Sequence, residues 1–331
     1  MERPFDVYGV GHALVDIQFK VEAATLERLG VEKGVMTLMD AERQKALFAD
    51  LAQDPIASAS GGSAANTMIG VALFGGTPFY ACLTGRDAWG DFYQSDLEKA
   101  GVSTDPTHRT DGITGQCVVF ITPDADRTLN TFLGAGSEIG VRQLDAEKIA
   151  ASQYVYLEGY LLSSDNGYEA CRKAQQLARA AGTSVALTLS DPFMVSTFQE
   201  RFAQLVADGI DLLFCNEDEA RAFTGAETRD HAVALLGQRV SIACVTCGAD
   251  GARIHQADQH IAIPGVPVDA VDTNGAGDLF AGGVLYGLTH GLGVEDAGKL
   301  GSYAAAQVVA QYGPRLHGTL DDAEAILARF A

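Results

Sequence analysis

Short, almost continuously apolar runs alternate along this chain with segments of helical periodicity, and this alternation constrains the fold most. Strands without a polar side are typical of parallel sheets that are covered on both faces. The pattern predicts an α/β fold with a doubly wound, mostly parallel central sheet flanked by helices. The predicted strands are 5–11, 77–85, 154–162, 184–190, 211–216 and 242–248. The predicted helices are 62–74, 87–101, 166–182, 198–209, 228–239, 275–292, 294–313 and 319–330.

Two excursions interrupt this rhythm with alternating apolar and polar residues. They comprise 14–21 with 34–40, and 115–123 with 127–134, the latter two joined by a turn-like segment at 123–126. Strands with one wet face and one dry face suit a small antiparallel sheet. We therefore expect a small β-sheet lid, formed by residues 13–45 and 111–136. The remaining segments, 1–12, 46–110 and 137–331, are expected to form a large catalytic domain that also binds nucleotide.

Composition narrows the class of protein. The chain has 331 residues, with 43 acidic against 23 basic residues and a formal net charge of −20. Because no basic run is present, nucleic acid is not an expected partner. No apolar run is long enough for a membrane helix and the N-terminal residues do not form a signal pattern, so we expect a cytoplasmic protein with no membrane partner. The pair Cys244 and Cys247 lies in a predicted strand, which favours burial over zinc binding.

The segment VDTNGAGDLFAGG, residues 271–283, directly precedes a predicted helix. Free N–H groups at a helix N-terminus attract anions, and glycines let a ligand approach the backbone closely. Gly275, Ala276 and Gly277 are therefore predicted to cradle a phosphate. Asp278 either caps the helix or takes a proton from a hydroxyl that is aimed at that phosphate.

Two further segments offer groups that suit hydroxyl binding. In GGSAAN, residues 61–66, Gly62 allows close approach and Asn66 supplies a donor and an acceptor. The alternative is a plain turn before a helix that Ser63 caps. Asp16 interrupts an apolar run, so its carboxylate either lies exposed on a lid strand or binds two hydroxyls.

Two more segments follow predicted strands in the C-terminal half. Asn216 and Glu219 open a helix, where they either cap it or lie near magnesium, which they would reach through water. Residues 246–251 read as a hairpin turn, which can also bound a nucleotide pocket.

Taken together, and in this order along nearly the whole chain, these segments resemble the PfkB (ribokinase-like) family of sugar and nucleoside kinases. The family signature D-T-N-G-A-G-D-x-F-x-G-G is intact from Asp272 to Gly283. The resemblance implies transfer of phosphate from ATP, with Asp278 as base and the amides of the glycine turn as anion hole. It also implies Mg²⁺ organised by Asn216 and Glu219, and K⁺ activation as a further family property. The residues expected to border the nucleotide are Thr246, Gly248, Gly251 and Ser302.

Asn274 and the segments 114–122, 127–136 and 301–309 look most similar to the adenosine kinase branch of the family. This match implies a nucleoside acceptor that is phosphorylated on its CH₂OH group. Arg127 would meet the transferred phosphate. Ribose contacts would come from Asp16, Gly61, Gly62 and Asn66. The apolar wall around the base would come from Leu14, Cys117, Leu129 and Leu133.

Two departures bear on the acceptor. His12 stands where that branch usually has asparagine beside the substrate, and Ser302 replaces a larger polar residue near the expected adenine site. A kinase of a free sugar such as ribose or fructose therefore stays open, as does a non-catalytic sugar or nucleotide sensor. The expected partners are the acceptor and ATP, bound by a monomer or a homodimer.

Overall fold

The computed structural model describes residues 3–51, 53–124, 127–316 and 318–330. Strands in these ranges are β1 Phe5–Val10, β2 Leu14–Lys20, β3 Met36–Leu38, β4 Ala57–Gly61, β5 Pro78–Ala81, β6 Thr84–Gly85, β7 Ser103–Thr104, β8 Arg109–Thr110, β9 Gly115–Ile121, β10 Arg127–Phe132, β11 Ser152–Leu157, β12 Ser184–Thr188, β13 Leu212–Asn216, β14 Ile242–Thr246, β15 Ala252–Gln256 and β16 Gln259–Ile263. Helices are α1 Ala23–Leu29, α2 Ala41–Asp50, α3 Ser63–Leu73, α4 Ala88–Lys99, α5 Ala146–Ala150, α6 Asp165–Ala181, α7 Pro192–Thr197, α8 Gln199–Ala207, α9 Glu217–Thr224, α10 Arg229–Gly237, α11 Ala276–Thr289, α12 Val294–Val309 and α13 Ala323–Ala328.

The larger sheet has nine strands in the order β16-β15-β14-β13-β12-β11-β1-β5-β7. Its pairs are parallel from β7 to β14, and β15 and β16 add an antiparallel edge. Successive side chains enter opposite cores: Val7 packs in the cluster that contains residues of α3 and α11, and Tyr8 in the cluster that contains residues of α6 and α8. Helices therefore cover both faces, and the predicted doubly wound sheet is confirmed.

The smaller sheet has the order β3-β10-β9-β2-β4. It is mixed rather than antiparallel, because β2 pairs with β9, and β10 with β3, in parallel. The expectation of one wet face and one dry face is also wrong for β9, which is buried along its whole length. Val118 packs in one cluster with Leu26 of α1 and Leu47 of α2, helices that sequence periodicity missed, while Cys117 belongs to a second cluster. Strand β4 also belongs to this sheet, although the predicted boundaries placed residues 57–61 in the large domain.

Several predicted bounds shift. The predicted strand 154–162 ends at Leu157, and a 3₁₀ turn spans Gly159–Ser163. The predicted helix 198–209 begins at Gln199 and is preceded by α7. In the tail, α13 is shorter than the predicted 319–330. The turn predicted at 123–126 lies partly outside the described residues. Among the described residues, no helix is long and apolar enough to cross a membrane.

The fold brings the starts of two helices to one place. Helices α3 and α11 pack so closely that a Cβ on Gly70 would lie 3.2 Å from the Cα of Gly282. This approach places the first turns of both helices side by side, close to the end of β1 and the start of β2. All the polar segments singled out in residues 12–66 and 272–278 lie in this region.

Candidate active site

Asp278 lies in the first turn of α11 and is held by two side chains of α3. Ser63 donates its hydroxyl to Oδ1 at 2.7 Å, and the Asn66 amide nitrogen donates to Oδ2 at 3.0 Å. The N-caps of α11 and α3 are Gly275 and Gly62, and neither glycine has a side chain that could accept from the first turn of its helix. Asp278 and Ser63 therefore meet each other instead of capping their own helices.

The surroundings of Asp278 favour its protonated form. Burial of the carboxyl group raises its pKa from 3.8 to about 7, against the lowering effect of the Ser63 and Asn66 hydrogen bonds. The charge of Glu158 adds to the rise in pKa. A carboxyl group with a pKa near neutrality is well matched to accept a proton at physiological pH.

The glycine turn before α11 has the shape of an anion cradle. Gly275 has φ +80°, and a Cβ there would lie 2.5 Å from the carbonyl oxygen of Pro314. A Cβ on Gly277 would meet no atom within 4 Å, so that side of the turn is open. The Ala276 N–H makes a long bond of 3.3 Å to the Thr273 carbonyl. The turn thus combines a tight backbone with open space above a helix N-terminus.

The start of the smaller sheet supplies the next group. Asp16 is 8% exposed. A Cβ on Gly61, in the neighbouring strand, would collide with the Asp16 carboxylate. Burial raises the pKa of Asp16 to about 7, although Arg127 and Arg315 lower it. Gly62 has φ +100°, and a Cβ there would collide with the His12 carbonyl oxygen. Both glycines therefore let strand β4 turn into α3 beside Asp16.

One face of the smaller sheet carries the residues predicted to form an apolar wall. Asp16 is in register with Cys117, and Leu129 pairs with Val119, the next residue on that side of β9. Cys117 and Leu129 belong to one apolar cluster. Leu14 and Leu133 are both partly buried, at the start of β2 and just after β10. The alternation of strand side chains thus places Leu14, Cys117 and Leu129 on the same face as Asp16.

Arg127 joins the smaller sheet to the signature segment. Its guanidinium lies 2.6 Å from the Asp272 carboxylate, and each side chain is 8% exposed. Asp272 also accepts from the backbone N–H of Asn274 at 3.0 Å and of Gly313 at 2.8 Å. Asp272, the first residue of the signature, therefore binds three segments: the start of β10, the glycine turn and the loop at Gly313.

The residues predicted to border the nucleotide lie around the hairpin between β14 and β15. Gly248 and Gly251 have φ of +56° and +85°, and a Cβ on Gly251 would collide with the 263–265 backbone. Ser302 donates to the carbonyl of Pro264 at 2.8 Å. Thr246, at the end of β14, makes a long bond of 3.4 Å to the Cys215 carbonyl. The hairpin predicted here is confirmed, and segment 263–265 links it to Ser302.

Asn216 and Glu219 form a capping box at the start of α9. Asn216 accepts from the Glu219 N–H at 2.9 Å, and Glu219 accepts from the Asn216 N–H at 3.1 Å. Burial raises the pKa of Glu219 to about 7. In the part of the chain that the structure describes, no three His, Cys, Asp or Glu residues are grouped to hold a metal. A single carboxylate suits Mg²⁺ held mainly by water and by a ligand's phosphates, not a protein cage.

Sequence reasoning missed Glu158, which follows β11 and is 1% exposed. Its carboxylate binds the His12 ring nitrogen Nδ1 at 2.9 Å and accepts from the backbone N–H of Ala64 at 2.9 Å. The signal was present, because a carboxylate in the apolar run YVYLEGYLL is as unusual as Asp16 in its own run. His12, expected beside the substrate, is 2% exposed and is the partner of this carboxylate.

Known proteins resemble this chain in sequence and in fold. The pfkB family carbohydrate kinase model matches residues 45–319. The adenosine kinase of Saccharomyces cerevisiae is 30% identical over 326 residues, which cover 92% of this chain and 95% of the yeast protein. The crystal structure of a probable sugar kinase from Rhizobium etli has a TM-score of 0.90 at 35% identity, over 100% of this chain and 99% of that one. The adenosine kinase from Sinorhizobium meliloti has a TM-score of 0.88 at 35% identity, over 99% and 100%.

These matches define the class of protein as an ATP-using kinase of a nucleoside or a sugar. The chain belongs to the pfkB family of carbohydrate kinases. The resemblance carried by the 272–283 signature is thereby confirmed.

Proposed function

We propose that the chain transfers the γ-phosphate of ATP to the CH₂OH hydroxyl of a nucleoside, with adenosine as the preferred acceptor. The observation that carries this proposal is the Asp278 carboxylate, held by Ser63 and Asn66 at the mouth of an open glycine turn. A base and an anion cradle within one helical turn suit attack of a hydroxyl on a phosphoryl group.

The proposed step is a direct phosphoryl transfer. Asp278 accepts the proton of the acceptor hydroxyl while that oxygen bonds to the γ-phosphorus and the bond to the β,γ-bridging oxygen breaks, leaving ADP. The N–H groups of Gly275, Ala276 and Gly277 stabilise the charge on the transferred group. To do so, the Ala276 N–H exchanges its long bond to Thr273 for one to the phosphate.

Polar groups beside Asp278 suit the hydroxyls of a sugar ring. The Asn66 Oδ1 atom is buried and has no hydrogen-bond partner among the described residues, so it is free to accept from a ligand hydroxyl. Asp16 supplies a second buried acceptor, with Gly61 and Gly62 leaving the backbone open beside it. Two hydrogen-bond acceptors beside the general base Asp278 can bind the hydroxyls of a ribose ring. A simple alcohol has no further hydroxyls for them to bind.

The apolar face formed by Leu14, Cys117 and Leu129 favours a nucleobase over a free sugar, because the flat aromatic face of a base packs well against such a surface. The identity of the yeast and Sinorhizobium relatives as adenosine kinases supports the same choice. The runner-up is a free-sugar kinase. It is favoured by the similarity to a probable sugar kinase and by His12, which stands where the adenosine kinase branch usually has asparagine.

Mg²⁺ bound with ATP would be held through water by Glu219, with Asn216 fixing that carboxylate, and would neutralise phosphate charge. Thr246, Gly248, Gly251 and Ser302 are proposed to border the nucleotide. Arg127 is proposed to meet the transferred phosphate from the lid while keeping its contact with Asp272. Activation by K⁺ remains an expectation from the family.

The test is ADP release from Mg-ATP with adenosine, inosine, guanosine, ribose, fructose and fructose 6-phosphate as acceptors. Adenosine far ahead of the others is the expected result. A free sugar ahead would overturn the nucleoside assignment and keep the chemistry. ATP binding without turnover of any of these acceptors would contradict the proposed activity and favour a non-catalytic sugar or nucleotide sensor.

A further inference from the structure

Glu158 makes three hydrogen bonds from a position with almost no solvent contact. Oε1 accepts from the backbone N–H of His12 at 3.3 Å and contacts its ring Nδ1 at 2.9 Å. Oε2 accepts from the backbone N–H of Ala64 at 2.9 Å. Burying a carboxylate is costly unless such donors satisfy it, and here both of its oxygens accept hydrogen bonds inside the protein.

These bonds join three elements of the site. Glu158 follows β11, His12 lies between β1 and β2, and Ala64 lies in the first turn of α3. Ala64 stands between Ser63 and Asn66, the two residues that hold Asp278. Any movement of the Glu158 carboxylate is therefore transmitted to the first turn of α3 and so to Asp278.

The surroundings leave the carboxylate little freedom to move. A Cβ on Gly11 would lie 2.5 Å from Oε2, so the chain approaches Glu158 as closely as a glycine permits. Tyr80 donates its hydroxyl to the His12 carbonyl at 2.9 Å, which fixes the other side of the same residue. Packing and hydrogen bonds thus define one position for Glu158.

We propose that Glu158 is a positioning residue that locks His12 and the first turn of α3 and thereby holds the Asp278 carboxylate in its working place. This inference rests on the proposed function for its kinetic consequence only. Glu158 contacts His12 and Ala64 and not the reacting groups. It acts through Ala64 on Ser63 and Asn66, and it orients the His12 ring through Nδ1.

Glu158 also acts on Asp278 through its charge, which raises the pKa of Asp278. Other groups act on the same carboxyl: Ser63 and Asn66 from α3 lower its pKa by hydrogen bonds. The Asp278 charge in turn raises the pKa of Asp16 on β2 and of Glu219 on α9. Burial is the largest cause of the raised Asp278 pKa, so looser packing would lower this pKa as well. Glu158→Asp keeps the charge, and comparing its Asp278 titration with that of Glu158→Gln separates the effect of charge from the effect of packing.

The experiment uses the full chain with Glu158→Gln, which keeps size and removes charge, and Glu158→Asp, which keeps charge and withdraws the carboxylate. The matched control is Glu98→Gln, a glutamate on the exposed side of α4. Carbon-13 NMR of labelled aspartate carboxyls, with the Asp278 signal assigned by Asp278→Asn, measures the titration of Asp278 without any substrate. Turnover of the best acceptor is measured in parallel.

In Glu158→Gln we expect the Asp278 pKa to fall by about 0.5 unit or more, because a nearby negative charge is removed. Both Glu158 variants should lower kcat roughly 10- to 100-fold through misplacement of the base, with the KM for ATP nearly unchanged. An Asp278 titration unchanged in Glu158→Gln overturns the proposal, as does wild-type kcat in both variants. A lowered melting temperature with unchanged titration would indicate a structural role only and also overturn it.

The NMR titration separates this proposal from the proposed function. If no acceptor is turned over but Glu158→Gln still shifts the Asp278 titration, the proposed function fails and the link between Glu158 and Asp278 stands. If the wild type is an active kinase and the shift is absent, only the role of Glu158 fails.

Discussion

Replacing Asp278 with asparagine separates its role in catalysis from any role in folding. In Asp278→Asn, the carbonyl of the new amide would still accept from the Ser63 hydroxyl. The nitrogen of the new amide would face Asn66, whose Oδ1 atom has no partner among the described residues and can accept once the Asn66 amide turns over. The site is therefore able to absorb the substitution with no more unpaired buried polar atoms than the wild type has, because the turned Asn66 amide nitrogen takes the place of the unpaired Oδ1.

The expected loss of activity is large. Removing a general base costs roughly 10²–10⁴ in rate, and at 1.36 kcal/mol for each factor of ten this is about 2.7–5.4 kcal/mol of transition-state stabilisation. The assay is single-turnover ADP formation with the best acceptor of the panel. Asp269→Asn, the same chemical change at an exposed position in the segment before the signature, is the control and should keep wild-type turnover.

Asp278→Asn should lower activity but raise the stability of the folded protein at pH 8. Because the pKa of Asp278 is raised to about 7, the folded protein binds more protons than the unfolded chain between about pH 4 and 7. This carboxyl group therefore lowers wild-type stability as pH rises through that window, whereas asparagine does not. Melting temperatures should favour Asp278→Asn at pH 8, and this difference should disappear near pH 4. A variant that keeps more than about a tenth of wild-type turnover would refute the base assignment.

Three further predictions rest on the same geometry. Wild-type kcat/KM should decrease as the pH is lowered through about 7, because Asp278 becomes protonated. A decrease that begins only near pH 4 would contradict the raised pKa. Gly62→Ala should lower the melting temperature by roughly 4 °C or more, because strain and a clash with the His12 carbonyl together cost at least about 2 kcal/mol. Gly75→Ala, also at positive φ but with no atom within 4 Å, isolates the clash and should cost less. Glu219→Gln should raise the Mg²⁺ concentration for half-maximal activity roughly tenfold. If the activity depends on Mg²⁺ as in the wild type, Glu219 only caps helix α9.

Local patterns predicted most of the large sheet, because strands buried on both faces are apolar throughout and the helices between them have a clear period. They failed where neighbours decide the environment. The strand β9 alternates weakly in sequence, yet α1 and α2 bury the face that was expected to be wet. The order of the smaller sheet also required β4, whose sequence ASASG carries little strand signal.

The residues of the site also divide into those that local sequence motifs revealed and those that only the structure revealed. Asp278, Asn66 and the glycine turn stand in dense local motifs, so their chemistry could be read from spacing. Glu158 is a single carboxylate in an apolar run, and only the packed structure shows that it meets His12 and Ala64.

By itself, the sequence determined the fold class, the family and the chemical groups available for phosphoryl transfer, because each depends on residues that are close together in the chain. Only the tertiary structure decided which partner each group meets: Ser63 and Asn66 on Asp278, Asp272 on Arg127, and Glu158 on His12. The physical reason is that the pKa of a buried carboxyl and the direction of its hydrogen bonds are set by atoms distant in sequence, which folding brings within about 3 Å.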